Sequence, residues 1–231
     1  MKILAIDTSS KFLSLGVYYR GRVSGYSLEA GRQLSALLNP AIRGVLQAAG
    51  VSLQEIDYFA CGLGPGSFTG LRIGIAAVKG LSWALNKRIA GLCSLEALAR
   101  GAQDYGEHIV AAIDARRNLF YCAAYQKEKG KLKQLAPCAL LPLEKLAKLI
   151  RPGSVVAGDA AALCRERFPP GLIFPDQDLW YPRPQQLVEM ALEKIAQKKP
   201  LNAFSIKPVY LYASDCQVKR LVTSKRVTSN S

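Results

Sequence analysis

The chain has 231 residues, half of them apolar, which is enough to bury a large core and excludes wholesale intrinsic disorder. Its 31 Lys and Arg against 17 Asp and Glu leave a formal charge of +14, shared by both halves: 11 basic against 6 acidic residues up to position 105, and 20 against 11 beyond it. The longest apolar stretch, Leu71 to Leu85, is broken by Arg72 and Lys79, so no segment reads as membrane-spanning.

A spread positive field suits proximity to RNA or another polyanion and would make such a contact salt-sensitive. It suits solubility and an acidic protein partner equally well, because the sequence has no arginine-rich arm. The start, Met1 to Asp7, turns acidic within a few residues and reads as a first strand rather than a secretion signal. The six cysteines (61, 93, 122, 138, 164 and 216) stand singly, with no Cys-x-x-Cys pair, and read as buried free thiols of a cytoplasmic protein.

In chain order, strands are predicted over Lys2–Ile6, Ser14–Tyr19 and Val23–Leu28, the last two flanking a tight turn at Arg20-Gly21-Arg22. Helical spacing over Leu34–Ala49 ends at Gly50, and Ser52-Leu53-Gln54-Glu55 fits a capping box. A strand (Tyr58–Cys61), a helix (Thr69–Leu85), a strand (Ile89–Leu92) and a helix capped by Ser94 (Ser94–Ala102) follow. The second half begins the same way, with strands at Ile109–Ile113, Leu119–Tyr125 and Lys131–Leu135 and Gly130 at the turn between the last two. A helix (Leu143–Ile150), a strand (Val155–Ala157) and two helices (Ala161–Phe168 and Gln185–Lys198) complete it. Two successive runs of three strands, helix, strand and helix predict an α/β protein with a duplicated lobe. The boundary falls near 105, giving lobes 1–105 and 106–216 and a basic tail, 217–231, expected to be mobile.

The segment Gly64-Pro65-Gly66-Ser67-Phe68-Thr69-Gly70-Leu71-Arg72-Ile73-Gly74 lies between a strand and a helix. Its glycines permit close backbone approach, and Ser67 or Thr69 can cap a helix whose free N–H groups would receive phosphate. The segment reads equally as a structural turn, and it lacks the spacing and lysine of a Walker loop. Asp7, at the end of the first strand, stands where sugar kinases and actin-like ATPases carry an acid. Thr8 replaces the glycine that usually follows it, which hinders phosphate. In the second half, Val156-Ala157-Gly158-Asp159-Ala160 has one glycine where an adenosine-binding loop usually has two. His108 is the single histidine, which argues against a histidine-based metal site, and it is expected on the surface between the lobes. On the Thr69–Leu85 helix, positions 70, 74, 77, 81 and 84 read Gly, Gly, Ala, Leu, Ala along one ridge. That ridge suits close approach by another helix, either the chain's own Leu34–Ala49 helix or a partner's.

These residues resemble the TsaB (YeaZ-type) family of threonylcarbamoyladenosine biosynthesis proteins. The likeness rests on Ile3 to Thr8, Gly64 to Gly74, Ala112-Ile113-Asp114-Ala115-Arg116 and Pro208-Val209-Tyr210-Leu211. The resemblance implies an actin-like/sugar-kinase (ASKHA) fold of two RNase-H-like lobes, each a mixed sheet flanked by helices. It implies a non-catalytic cytoplasmic subunit that supports a TsaD-type transferase, joined by a TsaE-type ATPase, with any tRNA contact indirect. It places the partner surface on the helices of the first lobe, with Leu34, Leu38, Ile42, Gly74, Ala77 and Leu81 as contact candidates; the same face would serve a homodimer. Weak nucleotide binding, if present, would involve Asp7, Thr8, Gly64, Gly66, Ser67, Thr69 and Gly70, or the partner interface. The chain departs from the family at Leu34, where His is frequent, and at Tyr212, where Arg is usual. The rival readings are a small-molecule kinase or ATPase of the same fold and a metallopeptidase, the latter poorly served by one histidine.

Overall fold

The computed structural model describes residues 1–168 and 170–212. Five strands form the first sheet: β1 (Ile3–Asp7), β2 (Phe12–Tyr19), β3 (Arg22–Glu29), β4 (Tyr58–Gly62) and β5 (Arg88–Leu92), in the order β3-β2-β1-β4-β5. The first three are an antiparallel meander, and β4 and β5 run parallel to β1. The second sheet repeats the plan with β6 (His108–Asp114), β7 (Leu119–Glu128), β8 (Lys131–Pro142) and β9 (Val155–Ala157), in the order β8-β7-β6-β9, β9 being parallel to β6. The chain therefore has the expected α/β architecture of two mixed sheets flanked by helices.

Local chemistry explains the repetition. Tyr19 pairs with Arg22 across Arg20 (φ 50°) and Gly21 (φ 77°), and Glu128 pairs with Lys131 across Lys129 (φ 50°) and Gly130 (φ 77°). Two central residues at positive φ match the right-handed twist of a hairpin, and glycine at the second position removes half of the steric cost. Gly50 (φ 64°) closes α1 (Leu34–Ala48), and Ser52 and Glu55 form the expected capping box, with the Ser52 N–H donating to Glu55 Oε2 at 2.8 Å.

The helices arrange the sheets in layers. α1 and α2 (Phe68–Ala84) cover the outer face of the first sheet, where Leu4, Ile6, Leu13 and Leu15 meet Leu38, Val45, Leu71 and Val78. α3 (Ser94–Gly101) lies on the second sheet, packing Leu95, Leu98 and Ala99 against Ile109, Ala111 and Ala123. α4 (Leu143–Ala147) and α5 (Ala160–Cys164) cover the other face of that sheet. α6 (Pro184–Ala196), although it follows the second sheet in sequence, returns to the first, where Leu187, Val188, Met190 and Ala191 bury Ile3, Ala5, Ala60, Ala90 and Leu92. β1 is thus covered on both faces, which is why Ile3 to Ile6 are all buried despite the alternation of their side chains. Arg100 of α3 forks onto Glu193 of α6 with two contacts of 2.7 Å and also meets Glu96 at 2.8 Å, tying the middle layer together.

Several local expectations differ from the structure. Cys93, not Ser94, is the N-cap of α3, because the Ser94 hydroxyl is engaged elsewhere. His108 is the buried first residue of β6, its Nδ1 2.7 Å from Ser154 Oγ, rather than a surface group. β8 runs on to Pro142 because Leu140 and Leu141 continue to pair with Tyr121 and Phe120. The expected basic tail lies outside the described residues.

Candidate functional site

Asp7 ends β1 with its carboxylate sealed inside the protein. Oδ1 accepts from the Ser9 N–H at 2.8 Å and from the Ser9 hydroxyl at 2.6 Å, and Oδ2 accepts from the Ser94 hydroxyl at 2.7 Å. Gly62 makes the room: a Cβ there would fall 1.9 Å from Asp7 Oδ2. Burial outweighs the three hydrogen bonds and holds the carboxyl above the usual aspartate value.

The glycine-rich turn closes over the same corner. The Ser67 N–H donates to Ser9 O at 2.7 Å, and Ser67 Oγ, as N-cap of α2, accepts from the Gly70 N–H at 3.2 Å. Thr8 Oγ1 donates to Gly70 O at 2.8 Å. A Cβ would lie 2.2 Å from Ser9 O at Gly66, 2.2 Å from Thr8 O at Gly70, and 2.1 Å from Thr8 Oγ1 at Gly74. These glycines therefore let α2 approach the β1–β2 turn of its own chain. Gly64 (φ 93°) belongs to the same knot, its carbonyl receiving the Ser94 N–H at 2.9 Å. Thr69 is exposed on the first turn of α2 and caps nothing.

Beside this knot, a cleft of about 740 Å³ opens between the sheets. Of the seven phosphate-site candidates, Gly66 and Ser67 line it, whereas Asp7, Thr8, Gly64, Thr69 and Gly70 do not. Its opposite wall is the β6–β7 turn, where Arg116, Arg117 and Asn118 all adopt positive φ (69°, 56° and 57°). Such backbone strain is about 1 kcal/mol or more per residue and gives no signal in the residue types beyond the asparagine. Arg116 pairs with Asp114 at 3.2 Å, while Asp159 Oδ1 receives the Asp114 N–H at 2.9 Å and is held above its usual value by burial. Gly158 (φ 118°) allows this arrangement, since a Cβ there would fall 2.1 Å from Ala112 O.

The segment after α6 straps the cleft. The Val209 N–H donates to Leu63 O at 2.8 Å, Arg72 Nε donates to the Tyr210 hydroxyl at 3.1 Å, and the Tyr212 hydroxyl donates to Ala115 O at 2.7 Å. The Tyr210 ring lies 5.2 Å from Phe68, and the Tyr212 ring 6.0 Å from Tyr121. The strap thus spans from the first sheet's loops to the second's.

The candidate helical surface also takes shape, with a correction. Leu34, Leu38, Ile42 and Gly74 are buried within the first lobe, so they support the helix pair from beneath instead of facing outward. Ala77 and Leu81 are half-buried at its edge. The outward face is made by Ala36, Pro40 and Gly44 of α1 and by Ala76, Gly80 and Ala84 of α2, beside Trp83 at 71% exposure. Helical spacing identifies the ridges, but which ridge meets the sheet is decided by Thr8 and the strand residues beneath.

A family model described as TsaD, tRNA N6-adenosine threonylcarbamoyltransferase, matches residues 28–209. The tRNA threonylcarbamoyladenosine biosynthesis protein TsaB of Escherichia coli (strain K12) is 29% identical over 218 residues, spanning 91% of this chain and 94% of that one. TsaB of Bacillus subtilis (strain 168) is 34% identical over 138 residues, 59% of this chain and 60% of its own. Among solved structures, YeaZ from Pseudomonas aeruginosa is similar with a TM-score of 0.81 and 32% identity, over 91% of this chain and 99% of that chain.

Proposed function

The chain belongs to the TsaB (YeaZ-type) branch of the TsaD family, and on that footing we propose that it is a non-catalytic subunit supporting a TsaD-type transferase. The reaction it serves is formation of threonylcarbamoyladenosine on the adenosine 3′ of the anticodon in tRNAs reading A-starting codons. One observation carries the supporting role. The corner where a kinase of this fold would hold phosphate is closed by the chain's own atoms, with Asp7 bound to Ser9 and Ser94 and the glycine turn packed onto Thr8 and Ser9.

The α1–α2 face is the proposed contact with the transferase. Small residues at Ala36, Gly44, Ala76, Gly80 and Ala84 allow a partner backbone to come close, and Trp83 supplies a large apolar anchor. Self-association through this face would compete with the transferase, and a TsaE-type ATPase would join the pair. Among the described residues no helix is long and apolar enough to cross a membrane.

The test is threonylcarbamoyladenosine formation on tRNA by the transferase system with and without this chain, beside ATP turnover by the chain alone. The expected result is modification that depends on the chain, with no turnover of its own. Turnover without any effect on tRNA would transfer the assignment to a kinase or ATPase of the same fold.

A further inference from the structure

Two cysteines separated by 45 positions meet at the edge of the middle layer. Cys93, at the N-cap of α3, and Cys138, on β8, have sulfurs 3.4 Å apart, and both side chains are partly exposed. The surroundings make the two sulfurs unlike. The Cys138 sulfur 3.4 Å away, helped by the backbone at the start of α3, holds the Cys93 thiol below the usual cysteine value, against burial and the Glu96 charge. Cys138 is held above that value, first by its bond to Cys93 and then by burial. Tyr125, whose hydroxyl is buried without an oxygen or nitrogen partner, lies beside both sulfurs, and burial pushes its phenol up so that it remains protonated. A nucleophilic sulfur thus sits against a second thiol able to resolve it, within reach of a small oxidant.

We infer that Cys93 and Cys138 form a hydroperoxide-responsive dithiol that closes reversibly to a disulfide joining the start of α3 to β8. Cys93 thiolate attacks the peroxide, the O–O bond breaks, and Cys93 becomes a sulfenic acid as the departing oxygen takes a proton. Cys138 then attacks that sulfur, the S–O bond breaks, water leaves with the thiol proton, and the S–S bond forms. Each sulfur loses one electron and the peroxide gains both. Closure requires the 3.4 Å gap between the sulfurs to shrink to about 2.05 Å. Cys61 and Cys122 offer no such chemistry, since burial pushes both thiols up, Cys122 to about 11.

The test treats the reduced full chain with hydrogen peroxide and maps its cysteine peptides by mass spectrometry without reduction. The expected product links the Cys93 and Cys138 peptides, removes two titratable thiols and reverts with dithiothreitol. Cys93 should react roughly tenfold or more faster than Cys61 or Cys122. In Cys138→Ser the link is lost and a sulfenic acid at Cys93 is trapped by dimedone; in Cys93→Ser, Cys138 stays reduced under the same dose. Linkage of Cys93 to any other partner, or survival of both thiols at a dose that oxidises free cysteine, would overturn the inference. Wild-type mapping decides the matter even if a variant folds poorly.

Discussion

Ser94 donates its hydroxyl to the Asp7 carboxylate over 2.7 Å, joining the start of α3 to the end of β1 across 87 positions of sequence. The bond fixes where the chain leaves the first sheet for the second. Removing the donor in Ser94→Ala should destabilise the fold by about 1–3 kcal/mol, the range for stripping one partner from a buried charged acceptor. Urea denaturation measures it.

Asp7 itself should leave a signature in pH. Burial raises its folded pKa above the ordinary 3.8, so between that value and the folded one the native state holds a proton that the unfolded chain has released. Its contribution to stability is therefore most favourable at low pH and declines as pH rises through this window. The stability advantage of wild type over Asp7→Asn should shrink accordingly in denaturation curves taken upward from pH 4. A pH-independent difference would mean that the carboxyl titrates alike in both states.

The opposite sign is expected at His108, whose pKa is lowered first by burial and then by Arg151. A neutral folded imidazole contributes stability that is present above the ordinary 6.5 and is lost as pH falls through the folded value. As the chain has a single histidine, its imidazole NMR signals should give one clean titration with a midpoint below 6.5.

Two glycines of α2 should respond oppositely to alanine. At Gly74 a Cβ would lie 2.1 Å from Thr8 Oγ1, so Gly74→Ala should destabilise by roughly 1–3 kcal/mol as α2 is pushed off the β1–β2 turn. At Gly80 the space is open, so Gly80→Ala should stabilise by roughly 0.5–1 kcal/mol through helix propensity alone. Thermal melts of the two variants separate a packing glycine from an exposed one.

The proposed transferase contact makes a further contrast. Gly80→Arg should leave the melting profile nearly unchanged while weakening calorimetric binding to a TsaD-type transferase at least tenfold. Leu38→Asp should unfold the chain, because Leu38 is only 3% exposed and a buried, unpaired carboxylate costs several kcal/mol. Full binding by Gly80→Arg would remove α2 from the interface.

Much of this was legible because it is local. The two hairpins are written in Arg20-Gly21 and Lys129-Gly130, the end of α1 in Gly50, and the capping box in Ser52 and Glu55. What escaped was long-range. Nothing near Cys93 announces Cys138, and the acid that takes the Ser94 hydroxyl lies at the other end of the first lobe. The return of α6 to the first sheet had one unread signal. Gly16 and Gly25 face each other on β2 and β3, and glycines inside strands mark close approach by another element; here Pro184 of α6 comes so near that a Cβ at Gly25 would meet its Cβ at 2.6 Å.

That exchange of helices bears on how such a chain can be taken apart. A fragment ending at residue 105 would keep α3 with its apolar side bare and would present Ile3, Ala5 and Leu92 to water, while the complementary fragment would carry α6 with nothing to cover. Each piece alone should therefore be insoluble, and the two should recover solubility when co-expressed.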